Sequence, residues 1–253
     1  MNDVRMPAVS GKFYPSDADE LRKMITEYLD AASVPEMNAK LKGIIVPHAG
    51  YLYSGPVAAY GYKLLQNKEP DKIIILGPSH YTPFPGMAEG GYAGWSTPLG
   101  IAEAFSIGGL HVYPAVHQPE HSVEVQLPFL QTVLKNDFKV DPILTGMVSP
   151  AEGADVLEKQ DAFFVISSDL SHYEPYSVAV ERDRNTVGLI EKLDVDGFLA
   201  KGDACGKTGI SIAMELAKRK GWMIEPLHYA NSGDTAGPKT EVVGYAALAI
   251  LEG

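Results

Sequence analysis

Hydrophobic residues recur along this chain with two distinct rhythms. After Ser16, the apolar positions Leu21, Met24, Ile25, Tyr28 and Leu29 fall three or four apart, the spacing of one face of an amphipathic helix. Ser16 is a good N-cap for that helix, and acids occupy its first turn. Elsewhere the pattern is short and continuous. "LKGIIVPHAG", "DKIIILGPSH" and "DAFFVISSDLSH" each begin polar, run through β-branched or aromatic residues and end in a turn, which predicts buried strands. "FKVDPILTG" and "EVVGYAALAIL" predict two more. Helices are predicted over "GPVAAYGYKLLQNKEP", closed by Pro70, and over "VSPAEGADVLEKQ". The glycine-rich "GMAEGGYAGWSTPLG" predicts an irregular hairpin. Strands alternating with helices imply an α/β fold with a largely parallel central sheet covered on both faces, a three-layer α/β/α arrangement. No repeat, low-complexity tract or linker divides the 253 residues, so one domain is expected over 1–253.

Composition narrows the function classes. Apolar residues make up 45% of the chain and the formal net charge is −11. An acidic surface argues against nucleic acid, whose phosphates need basic partners. No apolar run approaches the roughly 20 residues that span a bilayer, and "MNDVRMPAVSGKFYP" lacks the apolar core of a signal peptide. One cysteine cannot form an internal disulfide. A soluble cytoplasmic protein is the expectation.

The chemistry gathers at strand ends. In open α/β sheets, sites form in the crevice beyond the carboxyl ends of the strands. Three predicted strands deliver "PHAGY", "GPSHY" and "SSDLSHY" there, bringing His48, His80 and His172. A neutral imidazole is a common metal ligand and proton carrier. Each alone also reads as a turn histidine bonded to local backbone; the recurrence favours a shared site. "HQPEHSVEVQLPFL" adds His117, Glu120, His121 and Glu124, with Pro119 breaking any regular turn between the first two histidines. His121 and Glu124 read as site-wall residues opening a helix, whereas His117 and Glu120 read equally well as a polar helix start facing water. Cys205, in "KGDACGKTGISIAMEL", precedes a helix expected from about Thr208. A helix N-terminus lowers a thiol pKa and favours ligation or redox reactivity, and the alternative is an inert, buried small residue. Tyr51, Tyr53 and Tyr81 adjoin two of the histidines and read either as walls of an aromatic pocket or as packing residues. "GDACGKT" is one residue short of a phosphate loop, and no G-x-S-x-G elbow is present. Ser167, Ser168, Asp169 and His172 sit too close together for triad geometry. "ANSGDTAGP" reads as a turn or as a loop closing over a site.

Taken together, "MPAVSGKFYP", "VPHAGYLYSGP", "LGPSH", "EHSVEVQLPFL", "SSDLSHY", "DACG", "YANSGD" and "VGYAALA" resemble the Memo proteins in content and order, across almost the whole chain. Memo proteins are similar in fold to the LigB-type (class III) extradiol dioxygenases, non-haem iron enzymes that open catechol rings with oxygen. The resemblance implies that His48, His80 and Cys205 ligate Fe(II), with the cysteine where the dioxygenases have a carboxylate. It also implies that His172, with Asp169 nearby, acts as acid and base on a small aromatic substrate. A thiolate shifts metal preference toward softer ions such as copper and places an oxidisable sulfur at the site. The resemblance therefore also admits a non-catalytic iron- or copper-binding or peptide-binding protein. A third implication is a redox component of the AmmeMemoRadiSam system, alongside AMMECR1-type and radical SAM partners.

Overall fold

The structure is a computed structural model and describes residues 3–253. Its strands are β1 (Val4–Arg5), β2 (Lys40–Val46), β3 (Lys72–Pro78), β4 (Met87–Glu89), β5 (Gly94–Thr97) and β6 (Gly100–Ala104). They continue as β7 (His111–Val112), β8 (Lys139–Thr145), β9 (Phe163–Ser167), β10 (His172–Glu174), β11 (Trp222–Asn231) and β12 (Val242–Glu252). The longer helices are α1 (Ala18–Ala31), α2 (Tyr51–Lys63), α4 (Leu127–Val133), α5 (Pro150–Leu157), α6 (Tyr176–Glu191), α7 (Val195–Lys201) and α8 (Lys207–Lys220), with single turns α3 (Pro114–His117) and α9 (Ser232–Thr235).

One mixed sheet runs in the order β1-β5-β6-β8-β3-β9-β2-β12-β10, with β11 also pairing β12 and β4 pairing β7 and β8. Its centre, β8-β3-β9-β2, is parallel, and β12 runs antiparallel against β2. The continuous apolar runs follow from burial on both faces. Ile44, Val46, Ile73, Ile75 and Val165 join the core that holds Leu21, Ile25, Tyr62 and Leu130 of α1, α2 and α4. Their alternates Ile45, Ile74, Leu76, Phe164 and Ile166 join the core of Leu157, Phe198, Ile210 and Met214 from α5, α7 and α8. The period of two sends successive side chains to opposite layers, and the three-layer α/β/α expectation holds. The glycine-rich stretch forms β4 and the antiparallel β5–β6 hairpin.

Two element boundaries differ from the sequence expectation. Asp17, not Ser16, caps α1, its Oδ1 accepting from Asp19 N at 3.0 Å and Glu20 N at 2.9 Å. A carboxylate there both accepts the orphan amides and complements the helix dipole. Helix α2 begins at Tyr51, a turn before Gly55, and ends at Lys63, well before Pro70, so that Pro56 lies inside it. Gly50 O takes both Tyr53 N (2.9 Å) and Ser54 N (3.0 Å), starting the helix directly after His48. Among the described residues, no helix is long and apolar enough to cross a membrane.

The N-terminal segment is locked onto the segment before α4 by buried charge. Arg5 pairs with Glu124 and donates to the carbonyls of His117 (2.9 and 3.1 Å), Gln118 (3.2 Å) and Glu120 (2.6 Å). Its guanidinium lies 4.6 Å from the Trp95 ring centroid. Glu124 accepts in turn from Ala8 N (2.7 Å), Val9 N (3.1 Å) and the Tyr14 hydroxyl (2.6 Å). A buried acidic pair, Glu89 and Asp141, fastens the loop after β6, each carboxylate accepting Ile107 N at 3.0 Å.

Removing one member of a buried ion pair strands the other, at about 3–5 kcal/mol. Glu124→Ala is therefore expected to destabilise the protein by that amount in urea unfolding. Burial and the Glu89 charge push the Asp141 carboxyl up to about 8, against about 4 in an unfolded chain. The stability this contributes is whole below about pH 4 and is lost as pH rises toward 8. Urea midpoints should therefore fall between pH 5 and pH 9 in the wild type, and fall less in Asp141→Asn.

Candidate metal centre

Strands β3, β9 and β2 are neighbours, and their carboxyl ends open onto one place. His48 follows β2 and His80 follows β3, while Cys205 arrives from the short connection between α7 and α8. Their potential ligand atoms all lie within 4.8 Å of one another. The His48 and His80 rings stand edge to face with centroids 5.1 Å apart, and His48 Nε2 lies 3.2 Å from Cys205 Sγ.

Hydrogen bonding fixes which nitrogen of each ring is free. Ser167 Oγ gives its one proton to Ser122 O (2.6 Å) and accepts from Gln126 Nε2 (2.7 Å). His48 Nδ1, 2.9 Å from that same oxygen, must therefore donate to it. Its Nε2 is left with a lone pair aimed at the cysteine. Gln126 is oriented by Pro47 O (3.0 Å) and the Tyr62 hydroxyl (2.8 Å), so the relay runs back into the core. At His80 the partner is a carboxylate: Nδ1 donates to Glu120 Oε1 at 3.0 Å, again freeing Nε2. Ligating histidines characteristically use this arrangement, the second ring nitrogen bonded to a carboxylate or another acceptor.

Glu120 is fully buried. It accepts from His80 N (2.6 Å), His121 N (2.8 Å) and Ser122 N (2.9 Å) besides the His80 ring. Burial opposes its ionisation, but the His80 ring and these amides hold it down to about 2. His80, Glu120 and His121 also form a second potential ligand cluster, yet the Glu120 oxygens are already filled with N–H donors. His121 Nδ1 is 3.2 Å from Glu120 Oε1 but out of line for a hydrogen bond. Its ring stacks on His80 at 4.7 Å.

The donor set suits a thiolate-accepting ion. Metal–sulfur bonds of about 2.3 Å and metal–nitrogen bonds of about 2.0–2.1 Å separate the two ligand atoms by about 3.1–3.6 Å for angles between a right angle and the tetrahedral value. The observed 3.2 Å falls in that range. Burial and the nearby Asp169 charge push the Cys205 thiol up to about 12, so the expected helix-terminus lowering is overridden and the sulfur is protonated unless a cation displaces the proton. Burial and the neighbouring His80 push His48 down to about 3, which keeps its imidazole neutral and its lone pair available.

The remaining sequence-predicted residues divide into two groups. His172 lies close enough for its charge to act on His48 and Asp169, and its Nδ1 donates to Leu170 O at 2.8 Å, freeing Nε2. Asp169 is buried, with Oδ1 accepting His48 N (2.8 Å) and Ala49 N (3.3 Å); burial raises its pKa. Tyr81 and Tyr53 are exposed at 58% and 39%, with Tyr81 6.3 Å from the His121 ring. Two expectations fail. Tyr51 is buried with its hydroxyl on Val125 O (2.5 Å), and Glu124 is wholly engaged with the N-terminal segment, so neither is a pocket wall. His117 and Glu120 do not face water; both are fully buried, His117 Nε2 donating to Ala88 O at 2.9 Å.

Sequence reasoning passed over Ser167 and Gln126, and over Phe13, whose ring lies 4.7 Å from that of His121. For Glu120 the one available signal was its place beside His121 just after Pro119. Loss of the partner behind a ligating histidine typically weakens metal binding by about 10–100-fold. That loss is expected for Glu120→Gln in anaerobic Fe(II) calorimetry, since an amide cannot accept from all four N–H groups.

Comparison with known proteins finds one family across nearly the whole chain. The family model described as Memo-like protein matches residues 5–249. A MEMO1 family protein of Ignicoccus hospitalis is 38% identical, the match covering 97% of this chain and 98% of its own length. Those of Aquifex aeolicus and Nitrosopumilus maritimus are 37% and 34% identical, each covering 98% of this chain. Family match and full-length relatives coincide, and the chain belongs to the Memo family.

Proposed function

We propose that this protein is a non-haem Fe(II) enzyme of class III extradiol type, opening catechol-like rings with O2. The observation that carries the reading is the pair of histidines with fixed tautomers, each with Nε2 free, clustered with Cys205 so that their potential ligand atoms lie within 4.8 Å of one another. Two histidines and one anionic ligand on one face leave positions open for substrate and oxygen. Bound iron would supply Lewis acidity toward the catechol oxygens and electron density toward O2.

The protein's own residues would do the rest. His172, with Nδ1 committed to Leu170 O, presents Nε2 to take a hydroxyl proton and later return one, a task suited to imidazole near neutral pH. Tyr53, Tyr81 and His121 offer aromatic surface for a planar ring. Asp169, bonded to the backbone of His48 and Ala49, acts as a brace for the ligand loop. An acidic chain with one free cysteine suits the reducing cytoplasm.

Cys205 itself favours a second reading. A thiolate in place of a carboxylate prefers softer ions, and the same cleft would then hold copper(I) or iron for storage or delivery. Anaerobic titration separates these readings. Near-stoichiometric Fe(II) binding, weakened about tenfold or more by His48→Ala and by Cys205→Ser, is expected, followed by oxygen uptake with catechols. A metal-loaded protein inert toward a broad catechol panel would overturn the enzyme. Copper(I) bound far more tightly than Fe(II), without turnover, would establish the holding role.

A further inference from the structure

Asp183 is a carboxylate buried in the middle of α6, outside the cluster that converges on Cys205. Among the described residues it has no cationic partner within ion-pair distance. Burial pushes its carboxyl upward in pKa, so its presence there is unfavourable unless its bonds compensate. It makes two. Oδ1 accepts Ser171 N at 3.0 Å and Oδ2 accepts the Tyr229 hydroxyl at 2.8 Å.

Ser171 precedes His172 in a turn that ordinary pairing cannot satisfy. Leu170 N donates to Gly244 O (2.8 Å) and Gly244 N to Ser171 O (2.9 Å), tying the turn to β12 on one side. Pairing then slips, His172 standing opposite Val243 but Glu174 opposite Val242. Tyr173 is forced to φ +58°, a region that non-glycine residues adopt only at a cost. Ser171 N points away from this ladder toward α6, where Asp183 receives it. Gly244 completes the fit: a Cβ there would collide with the Asp183 carboxylate.

We propose that Asp183, set by Tyr229 and given room by Gly244, is a positioning residue that holds the 170–172 turn so that His172 keeps Nδ1 on Leu170 O and its Nε2 free. The proposal rests on the reading of His172 as the proton carrier. It adds a structural requirement: the bond from the His172 ring to Leu170 O needs both ends of the turn fixed, one by β12 and the other by Asp183. An asparagine fulfils the same role, its Oδ1 accepting Ser171 N while its amide donates to the Tyr229 oxygen.

The test uses the full-length protein, metal-free and loaded with diamagnetic zinc, with the His172 ring nitrogens and the Ser171 amide followed by NMR. The wild type should show Nδ1 protonated and Nε2 bare. Asp183→Ala should give mixed tautomers and Ser171 amide exchange about tenfold faster or more, with Asp183→Asn retaining the wild-type pattern. Tyr229→Phe, which keeps the carboxylate and spares the fold, should shift both readouts the same way by a smaller factor. A folded Asp183→Ala protein with wild-type His172 signals would overturn the proposal. So would Tyr229→Phe indistinguishable from wild type, should the alanine variant not fold. Where the wild type consumes oxygen with a catechol, Asp183→Ala should lower kcat about tenfold or more with KM little changed. If no catechol is turned over, the dioxygenase reading falls, and the ring-nitrogen signals still decide the role of Asp183.

Discussion

One buried carboxylate governs the geometry of the candidate metal centre. Glu120 receives four N–H groups from three residues and has no exposure to water. An anion so placed loses its hydration and recovers it only from protein donors. Hydrogen bonds to a charged group contribute about 1.5–3 kcal/mol each, so displacing any donor is costly and His80 has one favourable position. Glu120 is placed in its turn from the other end of the chain, because Arg5 donates to its carbonyl and pairs with Glu124. The N-terminal strand, the segment before α4 and the end of β3 therefore form one electrostatic unit.

His48 is held by different means, and the difference would reach any metal bound there. Its Nδ1 partner is neutral Ser167, the end of a relay through Gln126 to Tyr62; His80 leans on an ionised carboxylate. A carboxylate behind an imidazole raises its basicity as a ligand, whereas burial lowers the proton affinity of His48. The two histidines are thus unequal donors. His80 is the stronger and the more exposed, while His48 is the weaker and sits deep in the fold.

Most of the sheet was legible because each central strand is buried on both faces and writes that burial as an unbroken apolar run. Strand-end histidines were legible for the same reason: the run stops where the site begins. Element starts were less so. Asp17 displaced Ser16 as a cap because two adjacent residues could both serve and only the backbone path chooses between them. Helix α2 absorbed Pro56, although the sequence reads most simply with that proline near the helix start. Glu120 and Glu124, four residues apart in one polar stretch, show the limit most clearly. Glu124, expected at the site, faces the N-terminal segment, and Glu120, as readily assigned to solvent, orients His80. What each carboxylate does is set by distant chain, His80 forty residues before Glu120 and Arg5 at the far end from Glu124, and no local pattern carries that information.

Cys205 shows how the scaffold filters what it can hold. Asp169 clasps it from both sides, its N–H donating to Sγ at 3.2 Å and its carbonyl accepting Cys205 N at 3.2 Å. The same residue's carboxylate holds the His48 backbone, so both ligands hang from the end of β9 and their spacing is set before any ion arrives. Desolvation at the same place keeps the sulfur protonated. An incoming cation must therefore bind sulfur strongly enough to expel that proton. Hard ions such as magnesium and calcium prefer oxygen and gain little from such a site, whereas softer transition ions do gain. Were the cluster to hold an ion, its selectivity would follow from the protonated thiol, and proton release on binding would follow with it.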